Sequence, residues 1–354
     1  MVSKPNPSTM YAVLAAVLFG VSAPIAKLLL GSISPIPLAG LVYLGSGVVL
    51  LLVRLGLSTV GTRSTQEAPL MRRDLPWLAC AIVAGGVAAP IVLMLSLRST
   101  PAATASLLLN FEGVATGLIA AVIFREAIDR RIWAAIGCIM LGSALLTSDT
   151  GGGWGLSMGA VGVLAACVFW GVDNNATRNM STKDPLTIVM VKGLVAGSVS
   201  MVIAAVIRSP FPAWDKALLA MLFGSISYGL SIVLFILAMR GLGAARTGAY
   251  FGTAPFIGAL VSVAMFDTVL DVRFLLSLPL MIAGGFLLLS ERHEHTHEHW
   301  SSDHEHRHLH TDEHHDHSHD DSLEQSQAHS HRHKHHRKRH SHPHTPDDHH
   351  RHRH

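Results

Sequence analysis

Ten apolar stretches, each close to the length of a bilayer-crossing helix, constrain what this chain can fold into. A helix needs about 20 predominantly apolar residues to cross the hydrocarbon core. Stretches of that order run from Tyr11 to Leu30, Pro35 to Val53, Leu75 to Leu97, Pro101 to Phe124, Ile132 to Thr147, Gly155 to Val172, Pro185 to Ile207, Ala217 to Met239, Thr247 to Phe266 and Phe274 to Ser290. Enclosing them in water would take polar surface the chain lacks, since 49% of its 354 residues are apolar, only 14% are charged, and the mean hydropathy is +0.39. Lipid satisfies no backbone group, so each span must bond to itself. The expectation is an all-α integral membrane bundle of ten transmembrane helices. The positive start at Lys4 before Tyr11 resembles a signal peptide, but the run is too long, lacks a small-residue cleavage pattern and is followed at once by another span, so it is taken as the first helix.

Composition divides the chain in two. All 24 histidines lie at or after His293, and all 31 glycines lie before it. The expected organisation is a short N-terminus over residues 1–10, helical units over 11–147 and 155–290, and a histidine-rich tail over 293–354. Three scattered cysteines, Cys80, Cys138 and Cys167, exclude a disulfide scaffold. Positively charged connections mark the cytoplasmic side. With the N-terminus inside, the inner segments hold 13 Lys and Arg (Lys4, Arg54, Arg63, Arg72, Arg73, Arg125, Arg130, Arg131, Arg178, Lys183, Arg240, Arg246 and Arg292) and the outer ones 4 (Arg98, Arg208, Lys216 and Arg273). Both termini, and the tail with them, are therefore expected in the cytoplasm of a plasma or bacterial inner membrane.

The two helical units repeat. A shift of 142 residues places Arg98 on Arg240, Phe124 on Phe266, Asp129 on Asp271 and Gly142 on Gly284; a shift of 151 places Gly20 on Gly171 and Lys27 on Arg178. Five spans is an odd number, so the second unit enters the membrane inverted, the arrangement that gives a transporter two nearly equivalent packings.

Residues 11–290 resemble the drug/metabolite transporter superfamily, specifically its EamA-type members with ten helices in a five-plus-five arrangement. The likeness is carried by Leu107 to Leu146: a Leu-rich half-helix, Asn110-Phe111-Glu112-Gly113, an apolar run, Phe124-Arg125-Glu126, and a last helix with Gly137 and Gly142. Gly113 stands where the family usually has Pro, and Asp267-Thr268 stand in the Gly-Glu region of the second half. The resemblance implies a secondary transporter, commonly an exporter, and names no substrate.

An ionisable group inside a span is expensive and marks a functional site by default. Glu112 is the foremost candidate, beside Asn110 near the centre of the fourth run, suited to bind a cation, a substrate amine or a proton. Lys192 is either a substrate counter-ion or the partner of Asp173, and Lys27 is expected to snorkel outward. Asp173-Asn174-Asn175 form an unusually polar span end, and Tyr250 and Tyr228 are candidates to lend hydroxyls. The substrate-binding set is thus Glu112, Asn110, Asp173, Asn174, Lys192 and Tyr250. Small-xxx-small spacings at Gly113/Gly117, Gly155/Gly159, Gly193/Gly197 and Gly248/Gly252 suggest close helix crossings.

The tail is a different chemical device. His293, His295, His297 and His299, then His304, His306, His308 and His310, then His315, His317 and His319 alternate so that i and i+2 share a side in an extended chain, suited to chelating nickel, cobalt, zinc or copper. Without an apolar face it is expected to be disordered without metal. No cofactor is required, though the tail is a candidate to bind a divalent transition metal. No nucleophile elbow, phosphate loop or other enzyme motif is present. Expected partners are the lipid bilayer and a small solute or metal ion, with no nucleic acid; a homodimer is left open. The leading expectation is export of divalent transition metals, nickel or cobalt first, with a metal-collecting tail; the alternative is export of amino acids or other small metabolites with the tail as buffer or sensor.

Overall fold

The computed structural model describes residues 7–59, 69–124, 130–148, 157–180, 183–242, 244–266 and 271–289, together with the backbone of four six-residue strands in the tail. The helical residues fall into ten spans. The first is Pro7–Leu29, the second Pro35–Thr59, the third Arg72–Leu97, the fifth Arg130–Thr147, the sixth Met158–Arg178, the seventh Pro185–Val206 and the tenth Val272–Leu289. The fourth is made of Ala102–Leu108 and Phe111–Phe124, the ninth of Ala244–Phe251 and Ala254–Phe266, and the eighth begins at Trp214 and ends at Leu242. Seven of them are long and apolar enough to cross a bilayer by length and composition alone, and the ninth and tenth contribute shorter apolar helices. The sixth carries Asp173, Asn174, Asn175 and Arg178 in its last turns, which lowers its hydropathy.

Packing repeats with a period of five spans. The first packs on the eighth as the sixth packs on the third, and the first packs on the ninth as the sixth packs on the fourth. The self-related pairs, second with seventh, fourth with ninth and fifth with tenth, pack on each other. This is the contact pattern of two inverted repeats around a pseudo-two-fold axis.

Glycine sets close crossings. A Cβ at Gly193 would lie 2.8 Å from Gly47 N, and one at Gly197 would lie 2.6 Å from Leu44 N, so the second and seventh spans touch backbone to backbone. Of the four expected small-residue pairs only this one behaves so throughout. Gly117 and Gly248 face open space, because spacing puts two glycines on one face without deciding what that face meets. Gly159 abuts Thr100 and Ser99, while Gly155 lies outside the described residues.

Local breaks have local causes. Proline lacks an N–H and its ring clashes with the carbonyl four residues earlier. Pro24 and Pro255 accordingly follow helices that stop at Gly20 and Phe251. The fourth span breaks without proline: Asn110 Nδ2 donates to Leu107 O at 3.0 Å, a side-chain bond that competes with the helical ladder. Two π-helical segments, Ile82–Ala88 and Ser225–Leu230, occupy related places in the third and eighth spans.

In the tail, Glu294–His299 pairs antiparallel with Lys338–Pro343, and Asp303–His308 with His329–Lys334. Apart from Pro343 at the end of one strand, none of the four contains an aliphatic or aromatic hydrocarbon side chain, and isolated polar two-stranded pairings are marginal in water. His295, His297, His299, His304, His306 and His308 lie on these strands; His293, His310, His315, His317 and His319 lie outside the described residues.

Candidate binding pocket at the repeat axis

A cavity of about 280 Å³ opens where the broken fourth and ninth spans meet the first and tenth. Its lining includes Leu109, Asn110, Glu112 and Gly113 from the fourth span and Phe251, Gly252, Ala254 and Pro255 from the ninth. The 142-residue shift superposes these residues pair by pair: Leu109 on Phe251, Asn110 on Gly252, Glu112 on Ala254 and Gly113 on Pro255. The cavity therefore sits on the pseudo-two-fold axis, walled by equivalent helix breaks, and each break lies inside its span rather than at its end. Symmetry holds for the backbone and fails for the chemistry, because Asn110 and Glu112 face Gly252 and Ala254.

Glu112 occupies the first turn of the half-helix Phe111–Phe124, where the positive end of the helix dipole favours a carboxylate. Asn174 of the sixth span donates Nδ2 to Glu112 Oε1 at 2.9 Å and to Thr116 Oγ1 at 3.1 Å. Thr116 in turn donates its hydroxyl to Glu112 O at 2.8 Å, and Asn175 Nδ2 donates to Thr116 O at 3.0 Å and Gly171 O at 2.8 Å. The polar end of the sixth span is thus helical and clamps the fourth. Glu112 is half-buried, and among the described residues it makes no ion pair.

Lys192 takes the other partner anticipated for it. Its Nζ bonds Asp173 Oδ2, with the Asp173 side chain only 5% exposed, and Thr177 Oγ1 donates to Asp173 Oδ1 at 3.1 Å. This pair joins the sixth and seventh spans against the π segment of the third. The Gly85 carbonyl there accepts from Tyr43 Oη at 2.8 Å and Trp170 Nε1 at 3.2 Å. Asp173 and Lys192 line a different junction from Glu112, although Asp173 and Asn174 are adjacent in sequence, because neighbours on a helix point about 100° apart.

Two repeated halves of five spans each meet at this cavity. The EamA-like transporter family covers residues 7–148 and again residues 157–290. The chain belongs to the EamA-like transporter family. A protein described as an uncharacterized transporter from Methanothermobacter thermautotrophicus is 28% identical over 289 residues, which cover 77% of this chain and 83% of that one. One solved crystal structure, described only as that of a protein, superposes with a TM-score of 0.57 at 19% identity, covering 80% of this chain and 96% of the other; this likeness bears on fold alone.

In this EamA-like transporter, the residues singled out from sequence do not form one cluster. Asn110 and Glu112 line the cavity, Asn174 reaches Glu112 from behind, and Asp173 with Lys192 form the separate pair. Tyr250 is 37% exposed and is absent from the lining; the next residue, Phe251, faces the cavity in its place, one helical step round. The Lys27 amine reaches the connection that follows the third span, the direction expected for snorkelling. It donates to the carbonyls of Leu97, Arg98 (3.1 Å) and Thr100 (3.0 Å), neutralising the negative C-terminal end of the third span. Tyr228 packs its ring on Phe19 and Tyr43, at centroid distances of 5.7 and 5.9 Å. No group of three or more His, Cys, Asp or Glu gathers to hold a metal among the described residues. Sequence reasoning missed Phe19, Phe251 and Gly285. Applying the repeat shift to Asn110 and Glu112 would have found the ninth-span wall.

Proposed function

We propose that this membrane transporter carries a small organic solute by alternating access around the cavity at the repeat axis, with Glu112 and Asn110 contacting the solute and Asn174 positioning the Glu112 carboxylate. The observation that carries the reading is the meeting of two symmetry-related helix breaks at a mid-span cavity whose lining, among the described residues, holds a single charged side chain, Glu112. Inverted repeats exchange their packings, so a site on their axis keeps its walls while the exit changes sides. In this reading the pair of Asp173 and Lys192 holds the sixth and seventh spans together and does not touch solute. Both termini are placed in the cytoplasm on the strength of the 13 to 4 basic-residue split, and transport is outward.

Nickel or cobalt export is the second reading, favoured by the His-x-His repeats of the tail. It asks the membrane region to supply ligands as well, and the gathered oxygen set of Glu112, Asn110 and Asp173 does not converge, since Asp173 is turned to Lys192. Vesicles reconstituted with the full-length protein separate the two. Under a proton or cation gradient, uptake of an organic solute that Glu112→Gln abolishes supports the first reading; accumulation of nickel, cobalt or zinc that the same substitution abolishes supports the second and refutes the first.

A further inference from the structure

Which solute the cavity selects follows from counting its donors and acceptors. Resting on the proposed transport site, we infer that the solute is a small amphipathic organic cation, an ammonium group joined to a compact apolar body, and not a zwitterionic amino acid. Asn110 commits one of its two Nδ2 hydrogens to Leu107 O, and its Oδ1 is an acceptor, 3.9 Å from where a Cβ on cavity-lining Gly285 would stand. Glu112 accepts from Asn174 through Oε1, and Oε2 accepts no hydrogen bond among the described residues. Among the described residues the lining offers these acceptors, one of them a carboxylate, and a single side-chain donor, the second Nδ2 hydrogen of Asn110. Four backbone donors at the breaks are also spent: Asn110 N bonds Leu107 O, Glu112 N bonds Leu109 O, Gly252 N bonds Gly248 O and Thr253 N bonds Tyr250 O.

A ligand matched to the Glu112 carboxylate brings a donor and a positive charge. A carboxylate on the same ligand would lose its water and, among the described residues, meet no cation in the lining, and Lys192 is bonded to Asp173. The rest of the wall is apolar: Phe19, Leu109, Phe251, Ala254 and Pro255. Phe19 and Phe251 rings stand 5.0 Å apart centroid to centroid, giving the body an aromatic face and the ammonium a cation–π contact. At roughly 30 Å³ per water the cavity of about 280 Å³ holds some nine waters, which bounds the body to one ring or a short branched chain.

The purified full-length protein in detergent tests this by calorimetric titration with four probes of one shape: 2-phenylethylammonium, 2-phenylethanol, 3-phenylpropionate and zwitterionic phenylalanine. The expected result is saturable binding of 2-phenylethylammonium at least tenfold tighter than 2-phenylethanol, with 3-phenylpropionate and phenylalanine weaker still. Glu112→Gln should erase that tenfold preference. Phenylalanine or 3-phenylpropionate binding as tightly as the cation, or no probe binding at all, overturns the assignment. A cavity-filling variant, Gly285→Leu, distinguishes the class from the site. Its Cβ would make only ordinary contacts, the nearest at 3.7 Å to Phe256, so folding is preserved while the ligand space is lost. Cation binding that survives both Glu112→Gln and Gly285→Leu places the solute elsewhere and fails the site reading. Binding lost in Gly285→Leu but without charge preference fails the cation class alone.

Discussion

Replacing Gly85 by alanine tests whether the π segment of the third span exists to admit a buried carboxylate. A Cβ built on Gly85 would stand 1.9 Å from Asp173 Oδ2, 2.3 Å from its Cγ and 2.5 Å from its Cβ, so the whole side chain must leave rather than swing its tip. Leaving breaks the bond to Lys192 and the one from Thr177. An uncompensated buried charge costs about 3–5 kcal/mol, against which alanine returns at most about 1 kcal/mol of helix propensity over glycine. The net loss is roughly 2–4 kcal/mol, taking these two figures together. At about 2–4 °C per kcal/mol, thermal unfolding in detergent should fall by roughly 4–16 °C. Gly117→Ala is the control, since nothing lies within 4 Å of its Cβ, and it should hold or slightly raise the melting temperature. In an Asp173→Ala/Lys192→Met background the Gly85→Ala change should cost less than about 1 kcal/mol, the signature of coupling through that one contact. Gly85→Ala melting with the wild type, or costing as much in the charge-free background, would refute the reasoning.

Other outcomes follow from the same geometry. Arg208 ends the seventh span at φ 55°, a left-handed conformation costing an L-residue about 1–2 kcal/mol, so Arg208→Gly should raise the melting temperature. Arg54 is 54% exposed where it meets Asp184, and Arg54→Ala should cost under about 1 kcal/mol; Lys183 is 2% exposed beside Asp74, and Lys183→Met should cost clearly more in the same assay. Nickel bound to the tail, measured by equilibrium dialysis, should be held above and lost below the histidine pKa of about 6.5, because protonated imidazole cannot ligate; truncation after Arg292 should remove it.

How far the sequence carried the account depended on the kind of signal. Apolar runs placed the spans because lipid tolerates no other backbone solution, and the repeat shift anticipated the two-fold contact pattern. Glu112 and Asn110 were found because mid-span polarity is costly enough to be conspicuous. Lys192 with Asp173 was one of two readings, and only the packing of the third span against the sixth decided it. Tyr250 lies outside the cavity lining, because a hydroxyl near a proline break says nothing of the side it faces. The π segments left no pattern in composition, since one extra residue in a turn shifts a helix face without altering its hydropathy. The small-residue pairs erred for a related reason: Gly117 has the spacing of a crossing but no helix lies against it.

The central claim, that the cavity on the repeat axis opens alternately to each side, is tested most directly by labelling Gly113→Cys in a protein whose Cys80, Cys138 and Cys167 are replaced by serine. Gly113 is exposed and lines the cavity, so the new thiol needs no rearrangement to be reached. In oriented membrane vesicles, a membrane-impermeant maleimide should label it from either face when applied there, and bound transport solute should slow both reactions. Labelling from one face only, whatever gradient or solute is imposed, would contradict the account.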